Sequence, residues 1–216
     1  MNQGPNTISC GMDEAGRGPV LGPMVIAIVC GDRDILSKTG ARDSKALTPS
    51  MRVRIDQRIR EVASWVDLVA VTPSEINMEM SSTTLNEIEY RRYLELIIRS
   101  PACGTVYVDA FDVNQLRLQE RLCVDSGREV VCRHRADSEF VEVSAASVIA
   151  KVARDSKISE LHEKYGDFGS GYPSDPRTVK FLETSLSEGI NLDDIARTKW
   201  KTYIDIRNKV FSRKLF

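Results

Sequence analysis

Residues 11–24 read Gly-Met-Asp-Glu-Ala-Gly-Arg-Gly-Pro-Val-Leu-Gly-Pro-Met. Two adjacent carboxylates, Asp13 and Glu14, follow a short apolar stretch and precede a loop crowded with glycine and proline. The apolar run Met24–Cys30 comes next and is rich in valine and isoleucine. This order predicts two strands joined by a glycine-rich connection, with two negative charges at the end of the first strand.

Strand and helix signals continue on both sides of this stretch. Further strands are predicted at 65–71, 105–109 and 129–133, and no strand signal remains beyond residue 140. The fold class predicted is α/β, a mixed sheet flanked by helices, with a domain at 1–165 and a helical C-terminal segment at 166–216 packed on it as a single structural unit. Helices are expected at about 49–63, from 73, at 85–99, at 113–122 and at 144–164. A further helix is expected to begin at Pro176, after a cap at Ser174 or Asp175. The last is expected to run from Asn191 or Asp193 towards Val210.

The composition favours carboxylate chemistry. The chain has 216 residues, a net charge of −1 and only two histidines, which leaves little room for histidine metal cages or Ser–His–Asp catalysis. The balanced charge argues against a basic, tail-driven nucleic-acid binder, although it does not exclude a local basic face. One of the histidines, His134, lies near Asp137 and could assist proton transfer, but a solvated loop histidine is the better interpretation.

The cysteines and the N-terminus indicate a soluble cytoplasmic protein. The five cysteines are odd in number and contain no C-x-x-C pair, so we expect reduced, mostly buried thiols. Residues 1–5 do not resemble a signal peptide. No apolar run approaches the ~20 residues that span a membrane, so no membrane association is expected.

Four carboxylates suggest a site for hard cations. Asp109 ends the predicted strand 105–109, as Asp13 and Glu14 end the first one, and Asp137 lies in a polar loop before an apolar helix. For Asp137 alone, a surface or N-cap role is the simpler interpretation. Together the four fit Mg²⁺, which takes oxygen ligands, and a pair of such ions can activate water and stabilise the leaving oxygen of a phosphodiester.

An ordered set of motifs resembles one known family, ribonuclease HII. The stretch 11–24 matches its N-terminal signature, and D-E-A-G-R-G fits HII better than HIII. The last matching segment resembles the archaeal and eukaryotic branch. The other matching motifs are Asp43-Ser44-Lys45, Val108-Asp109-Ala110, Arg135-Ala136-Asp137, residues 143–155 and residues 169–176.

The resemblance implies an RNase H-like fold and a metal-dependent endoribonuclease using Mg²⁺ or Mn²⁺, with two ions in the active complex. It implies cleavage of the RNA strand of RNA–DNA hybrids. It also implies incision on the 5′ side of a ribonucleotide embedded in duplex DNA, leaving 3′-hydroxyl and 5′-phosphate ends. The family's catalytic, metal-binding carboxylates correspond to Asp13, Glu14, Asp109 and Asp137.

The resemblance also assigns substrate contacts. Telling RNA from DNA requires contact with the 2′-hydroxyl, and the loop Gly16-Arg17-Gly18 is implied in that role because glycines permit close backbone approach. The ring of Tyr172 is implied to stack on the sugar beside the ribonucleotide. Flanking phosphates could be bound by Arg17, Lys45, Ser147 and Lys151, with Asn77 a weaker candidate.

The C-terminal segment has several interpretations. Residues 199–216 carry six basic residues against one acidic, which fits either a solvated helix face or a salt-dependent contact with the duplex. Phe211, Leu215 and Phe216 could instead engage a sliding clamp, although the glutamine usual in the family's clamp motif is missing. We expect a monomer.

Two other functions remain open on the sequence. One is an RNase H-like nuclease acting on DNA junctions, and the other is a catalytically silent module that binds hybrids.

Overall fold

The described part of the chain forms a mixed sheet with helices, as expected. The computed structural model describes residues 8–41 and 47–213. Lys45 and the motif around it, and the clamp candidates Leu215 and Phe216, lie outside these residues. The strands are β1 (Ser9–Ala15), β2 (Met24–Gly31), β3 (Trp65–Val71), β4 (Thr105–Asp109) and β5 (Glu129–Arg133).

The strand order is β3-β2-β1-β4-β5, with β1 in the centre. β1 pairs antiparallel with β2 and parallel with β4, and β4 pairs parallel with β5. Every residue of β2 is buried, which explains why this strand is an unbroken apolar run and not an alternating one. The parallel pairs bring the carboxyl ends of β1, β4 and β5 to one edge of the sheet.

Most helices begin where a local cap predicts. Thr72 and Glu75 form the expected reciprocal capping box, with the Thr72 N–H donating to Glu75 Oε2 at 2.7 Å. Asp175, not Ser174, caps the helix that begins at Pro176. The helices are α1 (Arg33–Ser37), α2 (Pro49–Val62), α3 (Pro73–Glu79), α4 (Leu85–Arg99), α5 (Gln115–Ser126), α6 (Val141–Tyr165), α7 (Pro176–Glu188) and α8 (Lys201–Arg213).

The prediction of a helix from Asn191 or Asp193 was wrong, because α8 begins only at Lys201. Residues 195–197 instead pair with the chain at 20–22, through a bridge between Leu21 and Ala196. This pairing takes the backbone groups that a helix would have used. A contact between segments so far apart in sequence overrides the local capping signal.

The chain divides into two compact units, each built from several segments. The first unit comprises Met1–Ala15, Val25–Val69 and Glu89–Ala153, and the second comprises Gly16–Met24, Ala70–Ile88 and Arg154–Phe216. A buried cluster that includes Phe168, Leu182 and Ile195 forms the core of the second unit. The predicted domain boundary at residue 165 stays a prediction.

The expectation of reduced thiols was wrong for one pair of cysteines. Cys10 and Cys30 form a disulfide, because the register of β1 and β2 places them directly opposite each other. Cys103, Cys123 and Cys132 are free, and burial followed by the nearby Cys123 raises the pKa of Cys132 to about 12. The thiol argument for the cytoplasm therefore loses its basis, and that location stays a prediction. No helix in the described ranges is both long and apolar enough to cross a membrane.

Candidate active site

Asp13 and Asp109 lie at the ends of adjacent parallel strands of the first unit. The register pairs Met12 with Val108, so the next residue on each strand is one of these aspartates. Asp13 is 6% exposed, and Asp109 is half-buried. The sheet therefore brings together two of the four predicted carboxylates, which are 96 positions apart in sequence.

Glu14 follows Asp13 in β1 and is partly buried. Its Oε2 accepts a hydrogen bond of 2.6 Å from the hydroxyl of Tyr93 on α4. Tyr93 is fully buried, and its ring packs on Phe111 with centroids 4.8 Å apart. Burial, followed by the charges of Glu14 and Asp13, raises the pKa of Tyr93 well above its ordinary value, so the hydroxyl stays a donor.

Asp137 lies in a 3₁₀ turn, Ala136–Ser138, that follows β5. Arg135 before the turn adopts a left-handed conformation with φ of 60°, an uncommon state for a residue other than glycine. The N–H of Ala136 donates to Asp109 Oδ1 at 3.0 Å, which ties this turn to the end of β4. Asp137 itself is 7% exposed.

The surroundings of Asp13 disfavour its negative charge. Burial first, and then the charges of Glu14 and Asp109, raise the pKa of Asp13 well above its ordinary value, while a hydrogen bond from Ser147 acts in the opposite direction. Ser147 on α6 is fully buried and accepts a 2.8 Å hydrogen bond from Lys151 Nζ. Ser147 and Lys151, both predicted to bind phosphate, thus form a chain of hydrogen bonds that begins at Asp13. Direct contact of either residue with a phosphate stays a prediction.

The carboxylates of this site suit a hard cation that is also bound by phosphate oxygens of the substrate. In residues 8–41 and 47–213, no three His, Cys, Asp or Glu side chains form a group that could hold a metal ion by themselves. Mg²⁺ commonly binds through one or two carboxylates and completes its shell with water and phosphate oxygens. Clustered carboxylates without such a counter-charge repel each other, so the residues present fit ions shared with a phosphate.

The glycine-rich loop of the second unit is tightly held. Gly16 has a φ of +85°, and a Cβ there would lie 2.3 Å from Arg154 Nε, so both conformation and space require glycine. Gly18 is exposed, while Arg17 is partly buried and its Nη2 donates to Asn86 Oδ1 at 2.6 Å.

The predicted sugar-stacking residue lies in the same unit as this loop. Tyr172 is 41% exposed, and a Cβ on Gly18 would lie 3.7 Å from its Cε1. The guanidinium of Arg154 lies 5.4 Å from the ring centroid, a cation–π arrangement. Asp175 accepts hydrogen bonds from the N–H groups of Ser170 and Arg177, which lower its pKa to about 2 and hold the turn that carries Tyr172.

Three residues around these sites were not indicated by the sequence, Tyr93, Arg154 and Arg197. Arg154 on α6 is 7% exposed. Arg197 is the largest fully buried side chain among the described residues. No local motif marks Tyr93 or Arg197, because their partners are distant in sequence. Arg154 lies within the matching motif 143–155, but nothing in that motif indicates its contact with Tyr172.

The remaining polar candidates are engaged elsewhere. His134 is exposed, and its ring nitrogens lie 3.2 Å and 3.4 Å from the carbonyl oxygens of Ala110 and Val113, which fits a solvated loop histidine. In the basic C-terminal segment, Lys201 pairs with Asp205 and Lys209 with Glu183. Asp205 is the one acidic residue already counted in this segment, so only the pair with Glu183 further reduces its positive charge.

Known proteins are similar to this chain in sequence and in architecture. A family model described as Ribonuclease HII matches residues 10–203. A ribonuclease HII from Thermoplasma volcanium is 47% identical over 211 residues, which cover 97% of this chain and 98% of that protein. The ribonuclease H2 of Pyrococcus horikoshii OT3 superposes with a TM-score of 0.88 at 36% identity, covering 94% of this chain and 99% of that one.

A further solved relative comes from Archaeoglobus fulgidus, where the structure is of a PCNA:RNase HII complex. Its TM-score is 0.85 at 40% identity, with 90% of this chain and 95% of that chain covered. The expected RNase H-like fold is confirmed by these superpositions. Because the family model spans most of the sequence and the relatives match along nearly their whole length, this chain belongs to the ribonuclease HII family of ribonuclease H endoribonucleases.

Proposed function

We propose that this protein cuts the RNA strand of RNA–DNA hybrids and incises on the 5′ side of ribonucleotides embedded in duplex DNA, leaving 3′-hydroxyl and 5′-phosphate ends. The observation that carries the proposal is the meeting of Asp13 and Asp109 at the ends of β1 and β4, with Glu14 beside them. A module that only bound hybrids would gain nothing from concentrated negative charge near phosphates.

Asp13, Glu14, Asp109 and Asp137 would hold two divalent ions, Mg²⁺ or Mn²⁺. When bound, such ions supply activation of the attacking water and charge stabilisation of the leaving ribose 3′-oxygen. The chain's own contribution is to orient the ligands. Tyr93 holds Glu14 through its hydroxyl, and the N–H of Ala136 holds Asp109.

Substrate recognition would rest on the second unit. The backbone of Gly16-Arg17-Gly18 would contact the 2′-hydroxyl, and the exposed ring of Tyr172 would stack on the neighbouring sugar. Arg17, Lys45 and Lys151 would neutralise flanking phosphates, which makes binding weaker at high salt, and Ser147 would contact a phosphate through its hydroxyl.

The decisive assay compares a duplex carrying one ribonucleotide with the same duplex made entirely of DNA, in Mg²⁺ and in Mn²⁺. We expect one cut on the 5′ side of the ribonucleotide and none in the DNA control. Asp13→Asn and Asp109→Asn should abolish cleavage, while Asp34→Asn, a change at an exposed carboxylate of α1, should cleave at the wild-type rate. Near-wild-type rates for both site variants would contradict the site, and cutting of the all-DNA duplex would point to a different nuclease.

A sliding clamp is a further proposed partner, supported by the Archaeoglobus fulgidus complex. Phe211 on α8 is 53% exposed and could enter an apolar pocket of such a ring. Calorimetric titration of an archaeal clamp into wild-type protein and into Phe211→Ala tests this contact. Equal heats for the two proteins would place the contact elsewhere, and gel filtration of the free protein would test the expected monomer.

A further inference from the structure

The feature that the proposed function leaves unexplained is the buried side chain of Arg197. It is completely shielded from solvent, and a buried guanidinium is costly unless its donors are satisfied. Its Nη2 donates to Gly16 O at 2.6 Å and to Gly22 O at 2.9 Å, its Nη1 donates to Arg17 O at 2.9 Å, and its Nε donates to Gly22 O at 3.1 Å. One side chain therefore holds three carbonyls of the glycine-rich loop.

The backbone on either side of Arg197 is joined to the same loop. The Arg197 N–H donates to Val20 O at 2.9 Å, and the Gly22 N–H donates to Ile195 O, also at 2.9 Å. These bonds fix the position of the Arg197 backbone relative to the loop without involving its side chain. The guanidinium therefore contacts the loop carbonyls from a segment, residues 195–197, whose backbone is hydrogen-bonded to the loop.

Asn77 on α3 secures this segment from another direction. Its Nδ2 donates to Ala196 O at 2.8 Å, and its Oδ1 accepts from the Thr198 N–H at 2.8 Å. The side-chain amide thus pairs with the backbone immediately before and after Arg197. Asn77 was a weak candidate for phosphate binding on the sequence, but its amide is already used in this pairing.

Trp200 holds the exposed part of the loop. Its Nε1 donates to Gly18 O at 3.1 Å, and the guanidinium of Arg197 lies 4.9 Å from its ring centroid. The carbonyls of Gly16, Arg17 and Gly18 are therefore all drawn to these two side chains.

The positions of these carbonyls also determine the direction in which the N–H groups of the loop point. The C=O and N–H of a trans peptide point in opposite directions, and the described backbone contains no cis peptide. Because the carbonyls of Gly16 and Arg17 point to Arg197, the N–H groups of Arg17 and Gly18 point away from it. The peptides after Gly18 and Gly22 lead into prolines and have no N–H to offer.

We propose that Arg197 is a positioning residue for ribose recognition, which aims the N–H groups of Arg17 and Gly18 at the 2′-oxygen of the substrate. The inference rests on the proposed function and deepens it, since it names the residue that sets discrimination between ribose and deoxyribose. Substituting Arg197 should weaken binding of the ribonucleotide while leaving general duplex binding unchanged, because duplex binding depends mainly on phosphate contacts.

The test measures two constants in one assay. KM is determined for a duplex with one ribonucleotide, and Ki for the all-DNA duplex of the same sequence used as a competitive inhibitor. Arg197→Lys keeps the positive charge but cannot reproduce a forked set of hydrogen bonds. Arg128→Lys is the matched control, since Arg128 also donates to backbone carbonyls, at Ser100 and Pro101, but outside the loop.

We expect Arg197→Lys to lower the ratio Ki/KM at least about tenfold, through a higher KM at unchanged Ki, and Arg128→Lys to leave the ratio unchanged. If circular dichroism shows that Arg197→Lys is unfolded, the same ratio Ki/KM is measured for Trp200→Phe instead. This substitution removes the bond to Gly18 O while keeping an aromatic ring beside the Arg197 guanidinium, and it should lower the ratio about two- to tenfold.

Two outcomes would overturn the role of Arg197. They are an unchanged ratio in the folded variant, or a parallel rise of KM and Ki, which would indicate a general loss of binding. A wild-type protein that does not cut the ribonucleotide duplex would give no KM and would instead refute the proposed function, and this inference with it.

Discussion

Replacing Gly11 by alanine tests how closely β1 must lie against α6. A Cβ at Gly11 would be 2.0 Å from the carbonyl carbon of Glu142 and 2.1 Å from the nitrogen of Val143, in the first turn of α6. Both are backbone atoms and cannot rotate away. Asp13 follows two positions later on the same face of β1, so the close approach also sets where Asp13 meets Ser147 of α6.

The expected cost follows from these distances. An ordinary carbon contact requires about 3.5 Å, so the strand and the helix would have to separate by more than 1 Å. Overpacking of a core costs about 1–3 kcal/mol and occasionally more, and a clash with fixed backbone belongs at the upper end. With about 3 kcal/mol lost, the melting temperature of a chain of this size should fall by about 6–12 °C.

Thermal and urea unfolding of Gly11→Ala and Gly127→Ala give the measurement and its control. A Cβ at Gly127 would meet nothing within 4 Å, and the φ of this residue is +63°, so its substitution carries only the strain of a left-handed alanine, about 1 kcal/mol. We also expect the cleavage rate of Gly11→Ala to fall more than its folded fraction does. A loss of stability no larger than that of Gly127→Ala would refute the close packing of β1 on α6.

Three further predictions concern the site and its supports. Asp13→Asn should abolish cleavage. In the absence of metal, its melting temperature should equal or exceed that of the wild-type protein, because the substitution removes a buried charge beside Glu14. A much lower melting temperature would contradict this prediction. Tyr93→Phe keeps the buried ring but loses the hydrogen bond to Glu14, so half-maximal cleavage should need more Mg²⁺, and an unchanged metal titration would count against it. Asp175→Ala should raise KM by loosening the turn of Tyr172. The pKa of Asp175 is about 2 in the folded protein against an ordinary 3.8, so the wild-type protein should lose the stability that this carboxylate contributes as the pH falls through that window. Asp175→Ala should not show this loss, and unfolding of both proteins measured between about pH 2 and pH 5 checks it.

Local signals predicted the elements well where each signal and its consequence lie within a few residues. The capping box at Thr72 and Glu75 and the proline at the start of α7 act on the first turn of their own helices. The apolar run that became β2 needed only the rule that a strand covered on both faces is apolar throughout. These predictions succeeded because the physical cause is contained in the local sequence.

The same reasoning failed where distant segments compete. The capping residues near 191–193 favoured a helix, but pairing of residues 195–197 with 20–22 took the backbone groups instead. The cysteines offered no pairing signal, since only the register of β1 and β2 brings Cys10 opposite Cys30. Neither contact has a periodicity or motif that the chain could display in one place.

By itself, the sequence determined the chemical type of this protein: carboxylates at strand ends, a glycine-rich loop, almost no histidine, and a set of motifs in the order of one family. Only the tertiary structure decided what supports those groups. Tyr93 under Glu14 and Arg197 under the glycine loop join partners separated by 79 and about 180 positions. Hydrogen bonds that aim a carboxylate or a peptide depend on distance and direction in space, and a linear pattern records neither.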